Sequence, residues 1–450
     1  MSRMFGTDGV RGVANTELTA ELAMDLGKAA ALVLAKDSLR PLIVIGRDTR
    51  GSGEMLENAL VAGILSAGGN VIRAGVIPTP GIAYLARDYR ADAGVVISAS
   101  HNPFQFNGIK FFNSEGFKLD DAVEDEIETR IREGIRVTAE GGAIGRIIQP
   151  SEDPLKKYRE YVQSAFEGNL DGIRIVLDCA NGASSVVAPD VFAGLGAEIR
   201  TIGCKPDGIN INEGCGSTHP EQLAKTVVEE KADVGLAFDG DADRLIAVDE
   251  KGNLIDGDRL ISIFEKYMKE MGTLAENRAT VTVMSNIGFH RRAEELGVEV
   301  DVTDVGDRYV LERMLKTGSV LGGEQSGHIL LLEYGTTGDG MIAGLQLLKA
   351  FRHYGVPLSE LAEEMTVYPQ VLVNAEVKND NKDRWKEDEV IQEAISEVER
   401  KVTEENRRGR VLIRKSGTEP LVRVMIEGED ESEIRPLAEE LAELIEKRLS

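Results

Sequence analysis

The sequence predicts an α/β protein with four domains around a central cleft: three related domains with mixed α/β sheets, followed by a smaller α+β C-terminal domain. Three observations support this prediction. The length of 450 residues exceeds that of a single domain, which is about 100 to 200 residues. A unit of strand, helix and strand recurs three times along the chain, and the pattern changes near residue 370.

Each copy of the unit ends in an unusual polar loop. In the first copy, a strand at 42–45 and a helix around 55–66 precede the strand "AGVVIS", which leads into "SASHNP". The second copy starts with "IRIVLD", and its last strand, "DVGLAF", leads into "DGDADR". The third starts with "TVTVMS", and "SVLGG" leads into "EQSGH". Since ligands of α/β sheets bind at the carboxyl ends of strands, the three loops are expected to line one cleft.

The C-terminal region has a different pattern. The strand "VLVNAEVK" and a charged helical stretch precede the strands "RVLIR" and "LVRVMIEG", which flank a turn-forming loop, and a terminal helix follows. Such an order is typical of a small α+β domain. We therefore expect domains at 1–153, 154–256, 257–367 and 370–450.

The composition excludes several classes of partner. With 77 acidic and 52 basic residues, the formal charge of -25 repels nucleic acids and anionic membranes, so neither is expected as a partner. A phosphorylated substrate requires local cations or a metal. Cys179, Cys204 and Cys215 predict neither a disulfide framework nor a zinc site. Because no signal peptide or membrane span is evident, a reducing cytoplasm is the expected location.

The stretch "FDGDADR" predicts a metal site. In an extended segment, alternate residues point to one side, so Asp239, Asp241 and Asp243 would converge on a hard cation, with Mg²⁺ as the best candidate. An EF-hand is excluded because Arg244 occupies the position that requires glycine and because the flanks are strands. A solvated acidic turn is the alternative.

The stretch "SASHNP" predicts a reactive serine. Asn102 and Pro103 end the strand in a fixed turn, so that Ser100 can face the metal site and, as phosphoserine, complete the metal's oxygen ligands. His101 is a candidate base or phosphate donor. Adjacent residues are expected to point apart, so a simple Ser-His pair is not predicted, and no G-x-S-x-G elbow is present.

Two further loops predict substrate contacts. In "GGEQSGH", Glu324, Gln325 and Ser326 are suited to sugar hydroxyls, while His328 and Ile329 stand where a P-loop needs Lys and Ser/Thr; a plain turn is the alternative. "RKSGTEPLVR" combines cations, hydroxyls and glycine, as in a phosphate clamp. Arg11 and Lys110 each lie beside glycines, either as site residues or as surface charges.

The four motifs "SASHNP", "FDGDADR", "GGEQSGH" and "RKSGTEP", in this order, resemble the signature loops of the α-D-phosphohexomutase family over essentially the whole chain. The opening "FGTDGVRG" and Gln325 resemble the branch that acts on glucosamine phosphates rather than the phosphomannomutase/phosphoglucomutase branch, which is the alternative. The resemblance implies an isomerase that exchanges glucosamine 6-phosphate and glucosamine 1-phosphate through phosphoserine and a hexosamine 1,6-bisphosphate.

The resemblance also assigns roles to residues. The implied catalytic residues are Ser100, His101, Lys110, Arg11 and Arg244, and the implied Mg²⁺ ligands are Ser100, Asp239, Asp241 and Asp243. The implied substrate-binding residues are Glu324, Gln325, Ser326, His328, Arg414, Ser416, Gly417, Thr418 and Arg423. The expected partner is a phosphorylated hexosamine, and a homodimer is compatible with the sequence.

Two other functions are compatible with parts of this pattern. A sugar phosphatase would use the same serine and metal but would transfer the phosphoryl group to water. A non-enzymatic sugar-phosphate sensor would not need Ser100 or the three aspartates. The pairing of a sugar-binding loop with a distant phosphate clamp favours a mutase, whose substrate carries phosphate at either end.

Overall fold

The structure is a computed structural model that describes residues 3–6, 8–34, 40–136, 139–403, 408–416 and 420–450. The chain divides into two compact units. The first consists of Met1–Met284 and Val298–Glu363, and the second of Ser285–Gly297 and Glu364–Ser450. Three α/β sheets lie in the first unit, and one antiparallel sheet lies in the second.

The first sheet has five strands in the order β1-β5-β4-β2-β3. Its domain contains β1 (Val10–Val13), α1 (Ala20–Leu34), β2 (Leu42–Arg47), α2 (Gly53–Ser66), β3 (Asn70–Val76), α3 (Thr79–Asp88), β4 (Ala93–Ile97), β5 (Phe106–Asn113) and α4 (Asp121–Glu133). Strand β2 is parallel to both β3 and β4, whereas β5 is antiparallel to β4. Every residue of β4 is buried, as expected of an apolar strand covered on both faces.

The second sheet also has five strands, in the order β10-β9-β8-β6-β7. Its domain contains α5 (Pro154–Ser164), β6 (Arg174–Asp178), α6 (Ala188–Gly194), β7 (Glu198–Ile202), α7 (Glu221–Glu230), β8 (Val234–Phe238), β9 (Leu245–Asp249) and β10 (Leu254–Ile255). Strand β6 is parallel to β7 and β8, and β9 is antiparallel to β8.

The third sheet has four strands in the order β12-β11-β13-β14. The elements of this region are α8 (Gly257–Met271), β11 (Arg278–Thr282), α9 (Ile287–Leu296), β12 (Glu299–Thr303), α10 (Asp307–Thr317), β13 (Leu321–Gly323), β14 (Ile329–Leu331), α11 (Gly340–Tyr354) and α12 (Leu358–Glu363). Strand β11 is parallel to β12 and β13, and β14 is antiparallel to β13. Helix α9 belongs to the second unit.

The three sheets share one topology, which confirms the predicted threefold repeat. In each sheet a central strand lies between two parallel neighbours, and an antiparallel strand follows the second neighbour. The polar loops of the sequence follow β4, β8 and β13, and so lie at the carboxyl ends of equivalent parallel strands. Mixed sheets of this kind match the predicted fold class.

The second unit contains the predicted α+β domain. Its elements are β15 (Gln370–Glu376), α13 (Glu389–Thr403), β16 (Arg410–Lys415), β17 (Leu421–Glu427) and α14 (Glu431–Leu449). The strands form an antiparallel sheet in the order β15-β17-β16. Apolar side chains of both helices and of all three strands pack together in one core.

The remaining regular structure consists of short 3₁₀ helices at Gly141–Ala143, Ala183–Val186, Ala275–Asn277, Asn379–Asn381 and Arg384–Lys386. Within the described residues, no helix combines the length and the hydropathy of a segment that spans a bilayer.

Candidate active site

Ser100 follows the buried strand β4 in a left-handed backbone conformation, with φ of 51°. Its exposed fraction is only 1 %. The Ser100 backbone N–H donates to Ser98 Oγ at 3.0 Å, and the Ser98 hydroxyl donates to Asp48 Oδ2 at 2.6 Å. A non-glycine residue in this region costs about 1 to 2 kcal/mol, and such residues cluster at functional sites.

Two side chains that sequence analysis missed hold the serine loop by its carbonyl groups. Arg50 Nη2 donates to Ser100 O at 2.9 Å and to Asn102 O at 2.7 Å. Asn212 Nδ2 donates to the same two oxygens, at 2.9 and 3.0 Å. Since Arg50 belongs to the first domain and Asn212 to the second, the position of the serine depends on both domains.

The three aspartates converge, but not in the way we predicted. One carboxylate oxygen from each of Asp239, Asp241 and Asp243 lies within 4.8 Å of the other two, after the end of β8. The segment is a turn and not an extended strand: Ala242 N donates to Asp239 O at 3.1 Å, and Ala242 has φ of 58°. Alternation along a strand is therefore the wrong reason for the convergence, because the turn itself gathers the side chains.

Gly240 allows the aspartate turn to approach the serine loop. A Cβ atom on Gly240 would lie 2.6 Å from Ser100 O and 2.8 Å from Ile211 Cδ1. Real Cβ atoms do not approach other atoms so closely, so any side chain at this position would push the two loops apart.

Ser100 faces the aspartates directly. Its hydroxyl donates to Asp239 Oδ2 at 2.5 Å. In the described part of the chain, the buried oxygens Asp241 Oδ1 and Asp243 Oδ1 accept no hydrogen bond, although His328 Nδ1 lies 3.6 Å and Arg244 Nε 3.8 Å from Asp243 Oδ1. Buried carboxylate oxygens without donors are uncommon, and a set of oxygens alone suits a hard divalent cation such as Mg²⁺. The residues therefore fit the predicted metal.

The surroundings of Asp239 and Asp243 shift their pKa values in opposite directions. Burial raises the pKa of Asp239 well above its usual value, and the charges of Asp243 and Asp241 add to the effect. Burial would also raise the pKa of Asp243, but His328, Lys110 and Arg244 outweigh it and hold the pKa below its usual range. Like charges at this distance oppose ionisation unless a cation compensates them.

His101 lies beside the serine hydroxyl, which corrects our expectation that the two side chains point apart. Its Nδ1 is 3.3 Å from Ser100 Oγ, because the left-handed conformation at Ser100 removes the alternation of an extended chain. Burial, assisted by the positive charges of Arg244 and Arg11, lowers the pKa of His101 to about 4. The imidazole is consequently neutral at neutral pH.

Lys110 and Arg11 lie on neighbouring strands, and both side chains pair with Asp8. Strands β1 and β5 pair so that Arg11 lies opposite Gly108. Lys110 Nζ is 3.0 Å from Asp241 and 3.1 Å from Asp8, and Arg11 also pairs with Asp8. Burial would lower the pKa of Lys110, but Asp241 and Asp8 outweigh it and raise the pKa, so the amine is a cation.

Arg244 contacts two members of the aspartate triad. Its backbone N–H donates to Asp239 Oδ1 at 3.2 Å, and its Nε lies 3.8 Å from Asp243 Oδ1. Although burial acts in the opposite direction, Asp243 and Asp239 raise the pKa of Arg244. This fixed charge offsets part of the repulsion among the aspartates.

The third loop of the repeat also reaches this site. Glu324 Oε1 accepts from Gly306 N at 3.1 Å, Gln325 is half-buried and Ser326 is exposed. Gly327 has φ of 89°, and a Cβ atom there would lie 2.1 Å from Leu245 O, so the turn packs closely on the second domain. The Leu245 backbone N–H donates to Gly327 O at 3.0 Å, which places the loop next to the segment that follows the triad.

His328 is buried behind this loop and contacts the metal triad. Its Nδ1 lies 3.6 Å from Asp243 Oδ1, and its Nε2 lies 3.5 Å from Asp307 Oδ2. Burial would lower the pKa of His328, but Asp243 and Asp307 outweigh it and raise the pKa to about 8. The Gly338 backbone N–H donates to His328 Nε2 at 3.3 Å, so Nε2 acts as an acceptor and the proton on Nδ1 is the one that faces Asp243.

The predicted phosphate clamp belongs to the second unit. Arg414 on β16 lies directly opposite Arg423 on β17. Burial, together with the charge of Arg423, lowers the pKa of Arg414. Ser416 is buried, and its backbone N–H donates to Leu421 O at 2.8 Å. Gly417 and Thr418 lie outside the described residues. Two facing guanidinium groups repel each other, so a bound anion would stabilise the pair.

The first unit thus brings together Ser100, His101, Arg11, Lys110, Arg244, His328, Glu324 and the aspartate triad. Sequence analysis missed Asp8, Asp48, Arg50, Lys118, Asn212 and Asp307. Asp48 and Arg50 could have been found, since they follow β2, the neighbour of β4, at the same edge of the sheet. Asn212 lies in an irregular loop, for which the sequence has no corresponding signal.

Comparisons with known proteins agree with this geometry. Four domain profiles of the phosphoglucomutase/phosphomannomutase family match in order: alpha/beta/alpha domain I at 2–137, domain II at 156–252, domain III at 256–368 and the C-terminal domain at 372–444.

Sequence and structural relatives cover the whole chain. The phosphoglucosamine mutases of Caldicellulosiruptor bescii and Acetivibrio thermocellus are each 56% identical to it, over 100% of both chains. A crystal structure of a phosphoglucomutase/phosphomannomutase family protein from Burkholderia thailandensis is similar in fold, with a TM-score of 0.80, 24% identity and coverage of 100% of this chain and 99% of that chain.

Proposed function

Given that the chain belongs to the phosphoglucomutase/phosphomannomutase family, we propose that it is an isomerase that interconverts glucosamine 6-phosphate and glucosamine 1-phosphate. The choice of sugar is supported by full-length relatives named phosphoglucosamine mutase at 56% identity. The observation that carries the proposal is the contact between Ser100 Oγ and Asp239 Oδ2 at 2.5 Å, beside two buried carboxylate oxygens that have no donor among the described residues.

The reaction proceeds through two phosphoryl transfers. The resting enzyme carries a phosphoryl group on Ser100 Oγ. A free hydroxyl of the sugar phosphate attacks the phosphorus, the bond from phosphorus to Oγ breaks, and the hydroxyl proton passes to a base. The product is glucosamine 1,6-bisphosphate. The base returns the proton to Ser100 Oγ, and the bisphosphate reorients within the site. Ser100 Oγ then attacks the other phosphorus, the bond from that phosphorus to its sugar oxygen breaks, and the Oγ proton passes to this oxygen. The phosphate has then changed position on the sugar and the phosphoserine is restored.

Asp239, Asp241 and Asp243, together with an oxygen of the Ser100 phosphate, would hold Mg²⁺. When bound, the ion supplies positive charge next to the transferring phosphoryl group, which is the main requirement of such a reaction. The three carboxylates are almost completely buried, with exposed fractions of 0, 0 and 6 %. A bound cation would relieve the mutual repulsion of the three carboxylates.

Cationic side chains stabilise the transition state. Lys110 and Arg244 are held as cations against the triad, and we assign both to the charge that develops on the phosphoryl oxygens. Arg11 is assigned to the same role from the neighbouring strand. His101 is the neutral group next to Ser100 Oγ, so it is the candidate for proton transfer.

Substrate binding involves the two remaining loops. We assign Glu324, Gln325 and Ser326 to the sugar hydroxyls, since they are the accessible polar side chains of the third loop. His328 is assigned to the support of this loop. The non-reacting phosphate is assigned to Arg414, Ser416, Gly417, Thr418 and Arg423, where two arginines face each other across a pair of strands.

A mass-spectrometric experiment tests the function. The peptide that contains Ser100 should carry one phosphate in the purified protein and lose it on addition of excess glucosamine 6-phosphate, as glucosamine 1,6-bisphosphate and glucosamine 1-phosphate appear. The Ser114→Ala variant is the control, because Ser114 is an exposed loop residue. Release of inorganic phosphate without any glucosamine 1-phosphate would instead identify a phosphatase.

A further inference from the structure

A ring of seven ionisable side chains passes through the three α/β domains. We call it the charge ring, and its members are, in order, Asp241, Lys110, Asp8, Lys118, Asp307, His328 and Asp243. Acidic and basic side chains alternate along it, and the aspartate turn joins its two ends. Asp241 and Asp243 belong to the metal triad, whereas Asp8, Lys118 and Asp307 do not contact it.

The first half of the charge ring lies in the first domain. Lys110 Nζ is 3.0 Å from Asp241 Oδ2 and 3.1 Å from Asp8 Oδ2. The other oxygen of Asp8 accepts from Lys118 Nζ at 2.9 Å. Asp8 therefore binds Lys118 with one oxygen and both Lys110 and Arg11 with the other, so a shift of Lys118 would change the position of Asp8 relative to Lys110.

The second half connects the first domain to the third and returns to the metal triad. Lys118 Nζ donates to Asp307 Oδ2 at 2.6 Å. His328 Nε2 lies 3.5 Å from the same oxygen, and His328 Nδ1 lies 3.6 Å from Asp243 Oδ1. Asp307 thus lies between Lys118 and the histidine that contacts the triad, and the Nε2 atom of that histidine also accepts from the Gly338 backbone N–H at 3.3 Å.

The ion pairs of the charge ring are unlike ordinary surface pairs. Lys110 and Asp241 have exposed side-chain fractions of 3 and 0%, and Lys118 and Asp307 have fractions of 19 and 21%. Exposed pairs have little effect, but removal of one partner from a buried pair leaves an uncompensated charge. Lys110, Asp8 and Lys118 therefore each lie between two partners of opposite charge.

We propose that Asp8, Lys118 and Asp307 are positioning residues, which fix Lys110 and His328 against Asp241 and Asp243 and so hold the metal triad in its binding geometry. They act through other side chains and are not catalytic residues. The inference rests on the proposed function only for the identity of the triad as a metal site.

The test is direct Mn²⁺ binding to the purified full chain, measured by electron paramagnetic resonance. The double variant Lys118→Met/Asp307→Asn removes one cation and one anion, so the net charge of the protein does not change. Any loss of affinity then reports geometry and not long-range attraction. We expect the dissociation constant for Mn²⁺ to rise at least fivefold, kcat to fall at least tenfold and KM to change by less than threefold.

The chain offers a closely matched control. Arg308 lies next to Asp307 and donates to Asp121 Oδ1 at 2.6 Å, so it forms a second ion pair between the same two domains without contact to the charge ring. The variant Arg308→Met/Asp121→Asn also conserves net charge. It should leave the Mn²⁺ dissociation constant within twofold of the wild type.

If the double variant does not fold, the single variant Asp307→Asn takes its place. In that variant Lys118 still pairs with Asp8, so its charge is not left without a partner. For either variant, a folded protein whose Mn²⁺ dissociation constant changes less than fivefold overturns the proposal. A wild-type protein that binds Mn²⁺ through the triad but does not isomerise glucosamine 6-phosphate would overturn the proposed function, while the Mn²⁺ comparison would still decide the role of the charge ring.

Discussion

The Ser100 hydroxyl donates a hydrogen bond of 2.5 Å to Asp239 Oδ2, across the boundary between the first two α/β domains. The two residues are 139 positions apart in the sequence. Their contact joins the predicted phosphoryl carrier to the predicted metal ligands, and it implies specific effects of substitution.

Ser100→Ala should abolish isomerisation, because no other group at the site occupies the position of the phosphoryl carrier. We expect a loss of about 1,000-fold or more, as is usual when a nucleophile is removed. A coupled assay of glucosamine 1-phosphate formation measures the effect, with Ser114→Ala as the control. If Ser100→Ala retained a tenth of the activity, the phosphoserine mechanism would be wrong.

Asp239→Asn should have opposite effects on stability with and without metal. In the presence of a chelator the variant should melt at a higher temperature than the wild type, since it removes a carboxyl group whose pKa is raised by burial and, in addition, by the charges of Asp243 and Asp241. At Mg²⁺ concentrations of 100 times the dissociation constant, the wild type should gain about 2.7 kcal/mol and become the more stable protein. Calorimetry in both buffers provides the measurement, and an unchanged order would count against a metal at the triad.

Gly240→Ala should destabilise the protein by about 1 to 3 kcal/mol, the usual cost of overpacking, and should reduce kcat. The new methyl group would lie 2.6 Å from Ser100 O and would displace the serine loop from the aspartates. Gly142→Ala is the control, because a Cβ atom on Gly142 meets nothing within 4 Å. Urea denaturation and kcat are the two measurements, and equal results for the two variants would contradict the prediction.

Arg414→Gln should raise KM for both sugar phosphates by about tenfold, which corresponds to about 1.4 kcal/mol of binding energy, with little change in kcat. The reason is that the facing pair of Arg414 and Arg423 is assigned to the phosphate that does not react. Lys386→Gln in the same domain is the control, since Lys386 forms an exposed pair with Asp383 at 3.4 Å. A decrease in kcat with KM unchanged would refute this assignment.

Glu124 should make the wild type lose stability as the pH rises. Burial raises the pKa of Glu124 to about 7 against the opposing charge of Arg3, so the folded state binds a proton that the unfolded state has already released. The contribution of protonated Glu124 to the free energy of unfolding is fully present below pH 4.5 and is lost as the pH rises to about 7. After allowance for solvent screening, the change is about 1 kcal/mol.

The variant Glu124→Gln tests this pH dependence. Between pH 5 and pH 7.5, its melting temperature relative to the wild type should rise by about 2 °C, as expected for about 1 kcal/mol in a domain of this size. Glu126→Gln is a suitable control, because Glu126 is an exposed residue of the same helix. A difference in melting temperature between wild type and Glu124→Gln that stays constant with pH would contradict the predicted sign.

Much of the fold could be predicted because its information is local. The apolar strands, the helices and the polar loops follow one another three times, and strands β4, β8 and β13 end where the sequence motifs begin. The rule that ligands bind at the carboxyl ends of parallel strands then places Ser100 near the aspartates. The local geometry was harder to predict: the aspartates lie on a turn, and His101 lies beside Ser100, since one left-handed residue in each loop changes the direction of the side chains.

The sequence by itself determined the order of the domains, the serine, the aspartates and the composition of each loop, because each of these depends on neighbouring residues. Only the tertiary structure decided which distant charges meet. Lys118 and Asp307 are 189 residues apart, and neither lies in a recognisable motif of reactive residues. Their contact arises because three domains with equivalent topology pack against one another, and ion pairs across domains leave no periodic signal in the sequence.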